Sequence, residues 1–187
     1  MVFSILLFNF ATSMKMKKGL SPYDVILATG FGSGYWPWGP GTAGAVLATL
    51  LWCAYAIPFS SCCSGVMVMP VNALVQIVTT MLIVLFTILS IAPINRLEKV
   101  WGEDPSKVVV DEMVGVWITL LAVPQVWEWW HVALALLLFR FFDIVKPLGV
   151  RWIDNNVKGG WGVMLDDILA GIYGAIVLWL VSQFVHV

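Results

Sequence analysis

The chain has 187 residues, of which 60% are apolar and only 11% are charged, and its formal net charge is −1. Soluble globular domains carry about 25% charged residues, so this composition indicates an integral membrane protein. A near-neutral charge without a basic, aromatic-rich stripe excludes a nucleic-acid binder that relies on electrostatics. We therefore expect an all-α, polytopic membrane helical bundle that forms a single domain.

The N-terminal segment, residues 1–21, is expected to be a tail outside this domain. Its apolar run VFSILLFNFA is too short to span a bilayer, and three lysines follow it: Lys15, Lys17 and Lys18. A secretory signal carries its positive charges first, so the segment does not match one. A start at a later methionine would make this tail an over-extension. We place the transmembrane domain at residues 22–187.

Five apolar segments are predicted to span the membrane. A helix needs about 20 apolar residues to cross the hydrocarbon core, or fewer where neighbouring protein buries part of it. Proline, glycine and polar residues interrupt the chain between the segments. The predicted spans cover residues 41–57, 66–92, 108–123, 130–145 and 163–184.

The distribution of basic residues orients the predicted bundle. Five alternating spans place the N-terminal tail and the loops 93–107 and 146–162 on one side of the membrane. All ten Lys and Arg residues belong to that side or to helix ends that face it. The positive-inside rule makes that side cytoplasmic. The opposite interface carries an aromatic belt formed by Trp127, Trp129 and Trp130.

Five carboxylates lie within or at the ends of the apolar segments. A carboxylate at the centre of a membrane helix costs about 2.5–3.5 kcal/mol on insertion scales, so it normally faces a polar interior and a partner. Carboxylate oxygens are hard ligands that suit Mg²⁺ or Mn²⁺ rather than zinc. Two adjacent acids on one helix diverge by about 100°, so a site needs acids from several helices. The predicted metal ligands are Asp111, Glu112, Asp143, Asp166 and Asp167.

Small residues follow the last acidic pair. Asp166 and Asp167 begin the fifth predicted span, where negative charge complements the helix dipole. The next two turns carry Ala170, Gly171, Gly174 and Ala175. Small residues at this spacing let a neighbouring helix approach closely. The pattern predicts that this helix brings its acids towards those of the third span.

Two basic residues flank one of these acids. Arg140, Asp143 and Lys146 are spaced at i, i+3 and i+6, within reach of one helical face. One interpretation is structural, with an Arg and a Lys that extend towards water on either side of a neutralising Asp. The other is catalytic, with Asp143 on a metal ion while the planar guanidinium of Arg140 binds phosphate oxygens.

A glycine- and proline-rich stretch, ATGFGSGYWPWGPGTAG, precedes the first predicted span at residues 28–44. It contains too many helix breakers to be helical throughout. Successive glycines can expose backbone N–H groups to an anion, and a following helix adds its positive dipole end. The stretch matches neither a P-loop nor a GxGxxG fingerprint. It is either a connecting turn or a phosphate cradle, whose predicted residues are Gly32, Ser33, Gly34, Gly41 and Thr42.

The remaining polar residues have simpler interpretations. Solvated loop charges are expected at Glu98, Glu103, Asp104 and Glu128. Asp154 lies either in an Asx-type turn or beside the site as an outer partner. Interfacial positions on the side away from the site are expected for His131 and His186.

Three sequence blocks resemble the phosphatidylglycerophosphatase A family, over about residues 22–180. The blocks are GFGSGYWPWGPGTAG, DEMVGVW and RFFDIVKPLGVRWIDNNVKGGWGVMLDDILAG, and they occur in the family's order. The last block is the longest and the most specific. The chain departs from the family pattern at Ala45, where the family often has Ser, and in the Trp-rich residues 35–38.

This resemblance implies a bacterial, Mg²⁺-dependent inner-membrane phosphatase, with Mn²⁺ as a possible substitute metal. It would remove the terminal phosphate of phosphatidylglycerophosphate in the inner leaflet and leave phosphatidylglycerol. The residues that would carry the reaction are Asp143, Asp167, Arg140 and Lys146. Arg140 and Lys146 would also bind the substrate phosphate, and either aspartate would act as general base. Direct attack by an aspartate to form an aspartyl-phosphate is an alternative.

Two other functions are alternatives to a phosphatase. A metal-dependent phospholipid-synthesising phosphotransferase also uses intramembrane aspartates, but the segment DEMV at residues 111–114 lacks the Gly and Arg that should follow its first Asp. A non-enzymatic ion carrier would spread its acids along a path through the bilayer. The acids of this chain are predicted at one depth and on the cytoplasmic face, which favours the phosphatase.

Overall fold

The computed structural model describes residues 21–62, 71–102, 105–124 and 128–185, and its regular elements in these ranges are all helical. The α-helices are α1 (Pro22–Ala28), α2 (Pro40–Cys62), α3 (Val71–Trp101), α4 (Val110–Leu120), α5 (Trp129–Val145), α6 (Leu148–Asn156) and α7 (Gly159–Val185). A short 3-10 turn, Ser33–Tyr35, lies between α1 and α2. The prediction of an all-α helical bundle is confirmed.

Three helices are long and apolar enough to cross a membrane. The corresponding segments are Pro40–Pro58 in α2, Ala73–Trp101 in α3 and Gly159–Val185 in α7. Helices α4 and α5 have 11 and 17 residues, which correspond to about 16 and 25 Å at 1.5 Å per residue. The five predicted spans therefore correspond to three full-length helices and two shorter ones.

Helix α4 forms the buried centre of the bundle. It packs against α2, α3, α5 and α7, and nine of its eleven residues are buried. The indole N–H of its Trp117 donates a hydrogen bond to the carbonyl of Ala48 on α2 at 2.9 Å. An isolated helix of this length is unstable, so tertiary packing on every side keeps α4 helical.

Glycines let α4 and α7 cross at close range. A Cβ atom on Gly171 would collide with the carbonyl group of Gly115, and one on Gly115 would lie 2.8 Å from the carbonyl oxygen of Asp167. The hydroxyl of Thr119 donates to the carbonyl of Gly171 at 3.0 Å. The close approach predicted from the small residues is present, and it holds the acidic turn of α7 against the start of α4.

Two segments expected as connections are helical instead. Helix α3 continues through Pro93, a residue that usually ends a helix. Its continuation is held by tertiary contacts, because Ile94 and Leu97 are fully buried and Asn95 accepts a hydrogen bond from the N–H of Gly160 at 2.7 Å. Helix α6 likewise lies in a segment predicted to be a loop. Packing therefore overrides the breaker signal of Pro93 in α3, whereas Pro147 directly precedes α6 as its N-cap residue.

A short helix not anticipated from the sequence, α1, precedes the glycine-rich loop. The buried carboxylate of Asp24 accepts two hydrogen bonds from Arg96 on α3, at 2.6 and 2.8 Å. The carbonyl of Ala28 accepts a hydrogen bond from the N–H of Val109 at 2.9 Å. Helix α1 thus joins the end of α3 to the residue that precedes α4.

Five helix ends meet at one end of the bundle. Helices α2, α4 and α7 begin there, and α3 and α5 end there, because residues from all five of these ends line one cavity. This alternation is what a chain threading back and forth produces. Side chains near these helix ends therefore converge there. The prediction that Asp166 and Asp167 begin the last helix is wrong, because α7 begins at Gly159 and both acids lie beyond its first turn.

Candidate active site

A cavity of about 580 Å³ lies where the five helix ends meet. Its described lining contains three basic residues, Arg140, Lys146 and Lys158. It also contains seven acidic residues: Glu98, Asp111, Glu112, Asp143, Asp154, Asp166 and Asp167. Their formal net charge is −4. A cavity with this charge repels a phosphate dianion unless further positive charge is bound.

Three carboxylates form what we call the acidic cluster: Asp111, Glu112 and Asp167. Each offers one oxygen, and these oxygens all lie within 4.8 Å of one another. Asp111 and Asp167 are 8% and 4% exposed, and Glu112 Oε2 is buried without a hydrogen-bond partner among the described residues. Carboxylates this close repel one another unless a cation or a proton lies between them. Three hard oxygen donors of this kind fit Mg²⁺ or Mn²⁺.

Arg140 reaches the acidic cluster from the last turns of α5. Its Nη1 atom lies 2.6 Å from Asp143 Oδ2 and 3.7 Å from Glu112 Oε1. Its Nε atom is buried and makes no hydrogen bond to the described residues. The Arg140 side chain also lines the cavity and is 20% exposed there, so part of its guanidinium can meet a ligand oxygen.

Lys146 connects two acids on the opposite wall of the cavity. Its Nζ atom lies 2.6 Å from Asp154 Oδ1 and 3.0 Å from Asp166 Oδ2. Partial burial lowers the pKa of Lys146, but the hydrogen bonds to these two carboxylates outweigh burial and raise its pKa above the ordinary value. Lys146 therefore remains a cation at physiological pH.

The adjacent acids Asp166 and Asp167 face different partners. Asp167 belongs to the acidic cluster, whereas Asp166 accepts a hydrogen bond from Lys146 and, through Oδ1, one from the N–H of Asp167 at 3.1 Å. This divergence is the one expected for neighbours on a helix. Of the five predicted metal ligands, three form the cluster, Asp143 pairs with Arg140 and Asp166 pairs with Lys146.

The glycine-rich stretch meets the cavity at its C-terminal end. Gly39, Pro40 and Gly41 line the cavity. A Cβ atom on Gly41 would collide with Glu112 Oε1 and would lie 3.1 Å from Arg140 Nη1. Of the five residues predicted for a phosphate cradle, Gly41 is the one that lies directly beside the acidic cluster. Any side chain at this position would fill the space next to Arg140.

The other predicted cradle residues lie elsewhere. The described lining of the cavity does not include Gly32, Ser33, Gly34 or Thr42. The Ser33 hydroxyl donates to the carbonyl of Gly30 at 2.9 Å, and a Cβ atom on Gly34 would collide with the carbonyl of Lys107. A tight turn packed against the α3–α4 loop therefore accounts for Ser33 and Gly34 without a ligand.

Two acids that are not among the predicted metal ligands, Glu98 and Asp154, also line the cavity. Glu98, expected to be a solvated loop charge, lies on α3 and lines the cavity because that helix continues past Pro93. Asp154 is an outer partner that acts through Lys146. Lys158 also lines the cavity. Lys158 directly precedes the Gly159–Gly160 pair that begins α7. This position is the sequence feature that could have identified Lys158 as a residue of the site.

His131 is buried rather than interfacial. It is 1% exposed, and its Nδ1 atom accepts a hydrogen bond from the N–H of Glu128 at 3.0 Å. The pair caps the N-terminus of α5, at the opposite end of that helix from Arg140. The predicted tail up to residue 20, with its three lysines, lies outside the described ranges, as do Glu103, Asp104, Trp127 and His186.

Comparisons with known proteins agree on one family. A family model described as phosphatidylglycerophosphatase A matches residues 26–182. Phosphatidylglycerophosphatase A of Escherichia coli is 35% identical over 160 residues, which cover 84% of this chain and 83% of the relative. The Haemophilus influenzae protein of the same name is 34% identical over 165 residues, which cover 85% and 88%.

A further relative carries a different name. A Bacteroides thetaiotaomicron protein named "Putative phosphatidylinositol-3-phosphatase" is 54% identical over 155 residues, which cover 82% of this chain and 90% of the relative. No solved structure matches the chain. The segment matched by the family model contains every residue that lines the charged cavity. The resemblance of the three sequence blocks is thereby confirmed, and the chain belongs to the phosphatidylglycerophosphatase A family.

Proposed function

We propose that the protein hydrolyses the terminal phosphomonoester of phosphatidylglycerophosphate, releasing phosphate and leaving phosphatidylglycerol in the membrane. Membership of the family and the names of two relatives support this activity. The structural observation that carries the proposal is the acidic cluster beside Arg140, in a cavity at the ends of apolar helices. Such a cavity can receive the charged end of a lipid whose chains stay in the bilayer.

We propose that the acidic cluster holds Mg²⁺, with Mn²⁺ as a substitute. The mutual closeness of its three oxygens and the net charge of −4 around the cavity both favour a bound divalent cation. Such an ion would relieve the repulsion among Asp111, Glu112 and Asp167. When bound, it would neutralise phosphate oxygens and lower the pKa of a coordinated water molecule.

Arg140 is the proposed phosphate-binding residue. Its guanidinium lies 3.7 Å from Glu112 in the acidic cluster, and its side chain lines the cavity. A planar guanidinium can donate to two phosphate oxygens at once, with a geometry that lysine lacks. The absence of a side chain at Gly41 leaves room for the phosphate beside both groups.

Asp143 is the proposed general base. Asp167 is part of the acidic cluster, so Asp143 is the remaining predicted base, and it lies beside Arg140 at 2.6 Å. It would accept a proton from the attacking water as the new O–P bond forms, and the O–P bond to the lipid glycerol would break. That proton would then pass to the departing glycerol oxygen, which restores the carboxylate.

Lys146 is proposed to position the site rather than to contact the reacting atoms. It is engaged by Asp154 and Asp166 on α6 and α7. Asp166 in turn accepts a hydrogen bond from the backbone N–H of Asp167. This chain of contacts orients the first acidic turn of α7 and therefore the cluster carboxylate of Asp167.

We propose that the cavity faces the cytoplasm from the inner membrane. In the part of the chain that the structure describes, the basic residues lie on the helix ends and loops at the cavity end of the bundle: Arg96, Lys99, Lys107, Arg140, Lys146, Arg151 and Lys158. The positive-inside rule assigns this end to the cytoplasm. Phosphatidylglycerophosphate in the inner leaflet could then enter from the bilayer.

Phosphate release by the purified protein in detergent tests the activity and its metal. We expect hydrolysis of phosphatidylglycerophosphate with Mg²⁺ and none in excess EDTA, with recovery on re-addition of Mg²⁺. Turnover that persists after metal removal is verified would contradict the metal proposal. An assay in which water is the sole acceptor separates the three functions. A phosphotransferase would need an acceptor alcohol, and an ion carrier would release no phosphate.

A second substrate follows from the 54% identical relative. Its name makes phosphatidylinositol 3-phosphate a second candidate substrate for the same cavity. We expect kcat/KM for phosphatidylglycerophosphate to exceed that for phosphatidylinositol 3-phosphate by about tenfold or more when both lipids carry the same acyl chains. The opposite ratio would reassign the substrate while leaving the phosphomonoester chemistry in place.

A further inference from the structure

A second groove, of about 420 Å³ and largely apolar, adjoins the charged cavity. Gly39 belongs to the lining of both. Its lining includes Trp36 and Trp38 of the glycine-rich stretch and Val46 and Leu50 of α2. No charged residue occurs among the described residues that line it. The groove therefore offers a hydrocarbon surface that begins where the charged cavity ends.

The groove begins close to the proposed phosphate position. Gly39 and Gly41 are two residues apart, so their Cα atoms are at most about 7 Å from each other. Gly41 lies directly against Glu112 and Arg140. A lipid phosphate bound at Arg140 would therefore place its glycerol unit near Gly39, at the entrance of the groove.

We propose that this groove binds an acyl chain of the phospholipid substrate, an inference that rests on the proposed lipid phosphatase function. The indoles of Trp36 and Trp38 meet edge to face, with ring centroids 6.5 Å apart, and Trp38 is 84% exposed. Exposed indoles of this kind are typical of the membrane–water interface, where a lipid's glycerol and first methylenes lie. The exposed hydroxyl of Thr42, beside Gly39, is placed to donate to an ester carbonyl.

The other groove that meets the cavity has a different chemistry. It lies at the junction of α5 and α6, has a volume of about 410 Å³ and shares Lys146 with the cavity. Its lining also includes Arg151, Asn155 and Asn156. Charged and amide groups lose hydrogen bonds to water when hydrocarbon covers them. Leu148 and Trp152 also line the α6 groove, but the described lining of the α2 groove contains no charged residue, so the α2 groove is the better place for an acyl chain.

Filling the α2 groove tests the proposal. Val46→Trp and Leu50→Trp place an indole in the groove, while Val84→Trp adds the same bulk on α3, where Val84 is 52% exposed and outside the groove. Each variant is assayed with dioleoyl and with dihexanoyl phosphatidylglycerophosphate. We expect both groove variants to lose about tenfold in kcat/KM on the dioleoyl lipid and less than about twofold on the dihexanoyl lipid. Val84→Trp should match the wild type on both.

Assays with the two substrates distinguish a misfolded variant, a wrong assignment of the groove and a wrong proposed function. Retained turnover of the dihexanoyl lipid shows that a groove variant is folded and catalytically intact. Equal losses on both lipids in both groove variants, or no loss on either, would overturn the assignment of the groove. A wild-type protein that hydrolyses neither lipid, although thermal unfolding in the same detergent shows it folded, would overturn the proposed function and the groove with it.

Discussion

Two buried acidic sites in this bundle are satisfied in opposite ways. Asp24, 2% exposed, accepts two hydrogen bonds from the guanidinium of Arg96 and lies away from the charged cavity. In the acidic cluster, three carboxylates lie within 4.8 Å of one another, and Arg140 approaches one of them only to 3.7 Å. A closed ion pair needs no ligand, whereas a group of like charges needs an added cation or a proton.

This contrast separates charge that stabilises the fold from charge available for chemistry. The Asp24–Arg96 pair joins α1 to α3, and removing either partner would leave the other without its hydrogen bonds. The acidic cluster faces the cavity from α4 and α7, and removing one carboxylate would relieve repulsion. Substitutions at the two sites should therefore affect stability and activity in opposite directions.

The largest effect is expected for Asp167→Asn. Asparagine keeps the volume but removes the charge that a divalent cation requires, so phosphate release should fall by ~1000-fold or more. Because acid–acid repulsion is relieved, the metal-free variant should unfold at the same temperature as the wild type or at a higher one. Phosphate release and thermal unfolding in EDTA measure the two quantities. An unstable variant, or a stable and fully active one, would show that Asp167 is not a ligand.

A metal titration provides the control for this variant. An ion that binds the folded state alone stabilises it by about 2.7 kcal/mol at 100 times its dissociation constant. Mg²⁺ should therefore raise the unfolding temperature of the wild type and of Asp24→Asn, and should leave that of Asp167→Asn unchanged. A wild-type protein whose unfolding does not respond to Mg²⁺ would argue against the proposed metal site.

A smaller loss, about 100-fold in kcat/KM, is expected for Arg140→Lys. Lysine keeps the positive charge but loses the planar fork that would donate to two phosphate oxygens. The matched control is Arg151→Lys on α6, since Arg151 is exposed and does not line the charged cavity. That control should stay within about twofold of the wild type. Equal losses in the two variants would mean that the loss at Arg140 does not report a specific phosphate contact.

The partner of each acid is a feature that the sequence could not predict. The apolar runs predicted most of the helices, and the glycines after Asp167 predicted the close approach of α7 to α4. The individual partners could not be predicted, because Asp166 and Asp167 are adjacent and chemically identical. Only the rotation of α7 relative to its neighbours directs Asp167 into the cluster and Asp166 towards Lys146.

The missed helices have a related cause. Pro93 signals a helix end, yet Ile94 and Leu97 are buried and keep α3 helical to Trp101. Local breaker signals carry no information about such long-range packing. The sequence predicted neither that Glu98 would line the cavity nor that Arg96 would pair with Asp24, because both depend on this extension.

The spacing between α4 and α7 connects the fold to the acidic cluster. A Cβ atom on Gly171 would collide with the carbonyl of Gly115, so Gly171→Ala should push α7 away and move Asp167. Overpacking of this kind costs about 1–3 kcal/mol, and we expect roughly a tenfold loss of turnover with it. Denaturant unfolding and phosphate release measure the two effects.

A matched glycine on α6 provides the comparison for Gly171→Ala. A Cβ atom on Gly149 would meet the ends of the flexible Leu169 and Tyr173 side chains, so Gly149→Ala should be tolerated and fully active. If Gly171→Ala were equally harmless, the close crossing would not set the position of Asp167.

The smallest effect on activity is expected for Asp24→Asn. Asparagine removes the charge from a buried group that accepts two hydrogen bonds from Arg96, so the unfolding temperature should fall. The acidic cluster keeps its composition, and turnover measured well below that temperature should stay within a few-fold of the wild type. Arg96→Lys is the companion variant, because it keeps a cation beside Asp24 without the bidentate geometry and should therefore lose less stability than Asp24→Asn. If Asp24→Asn instead lost activity as Asp167→Asn is expected to do, while remaining stable, Asp24 would be a functional carboxylate, and the distinction between the two acidic sites would fail.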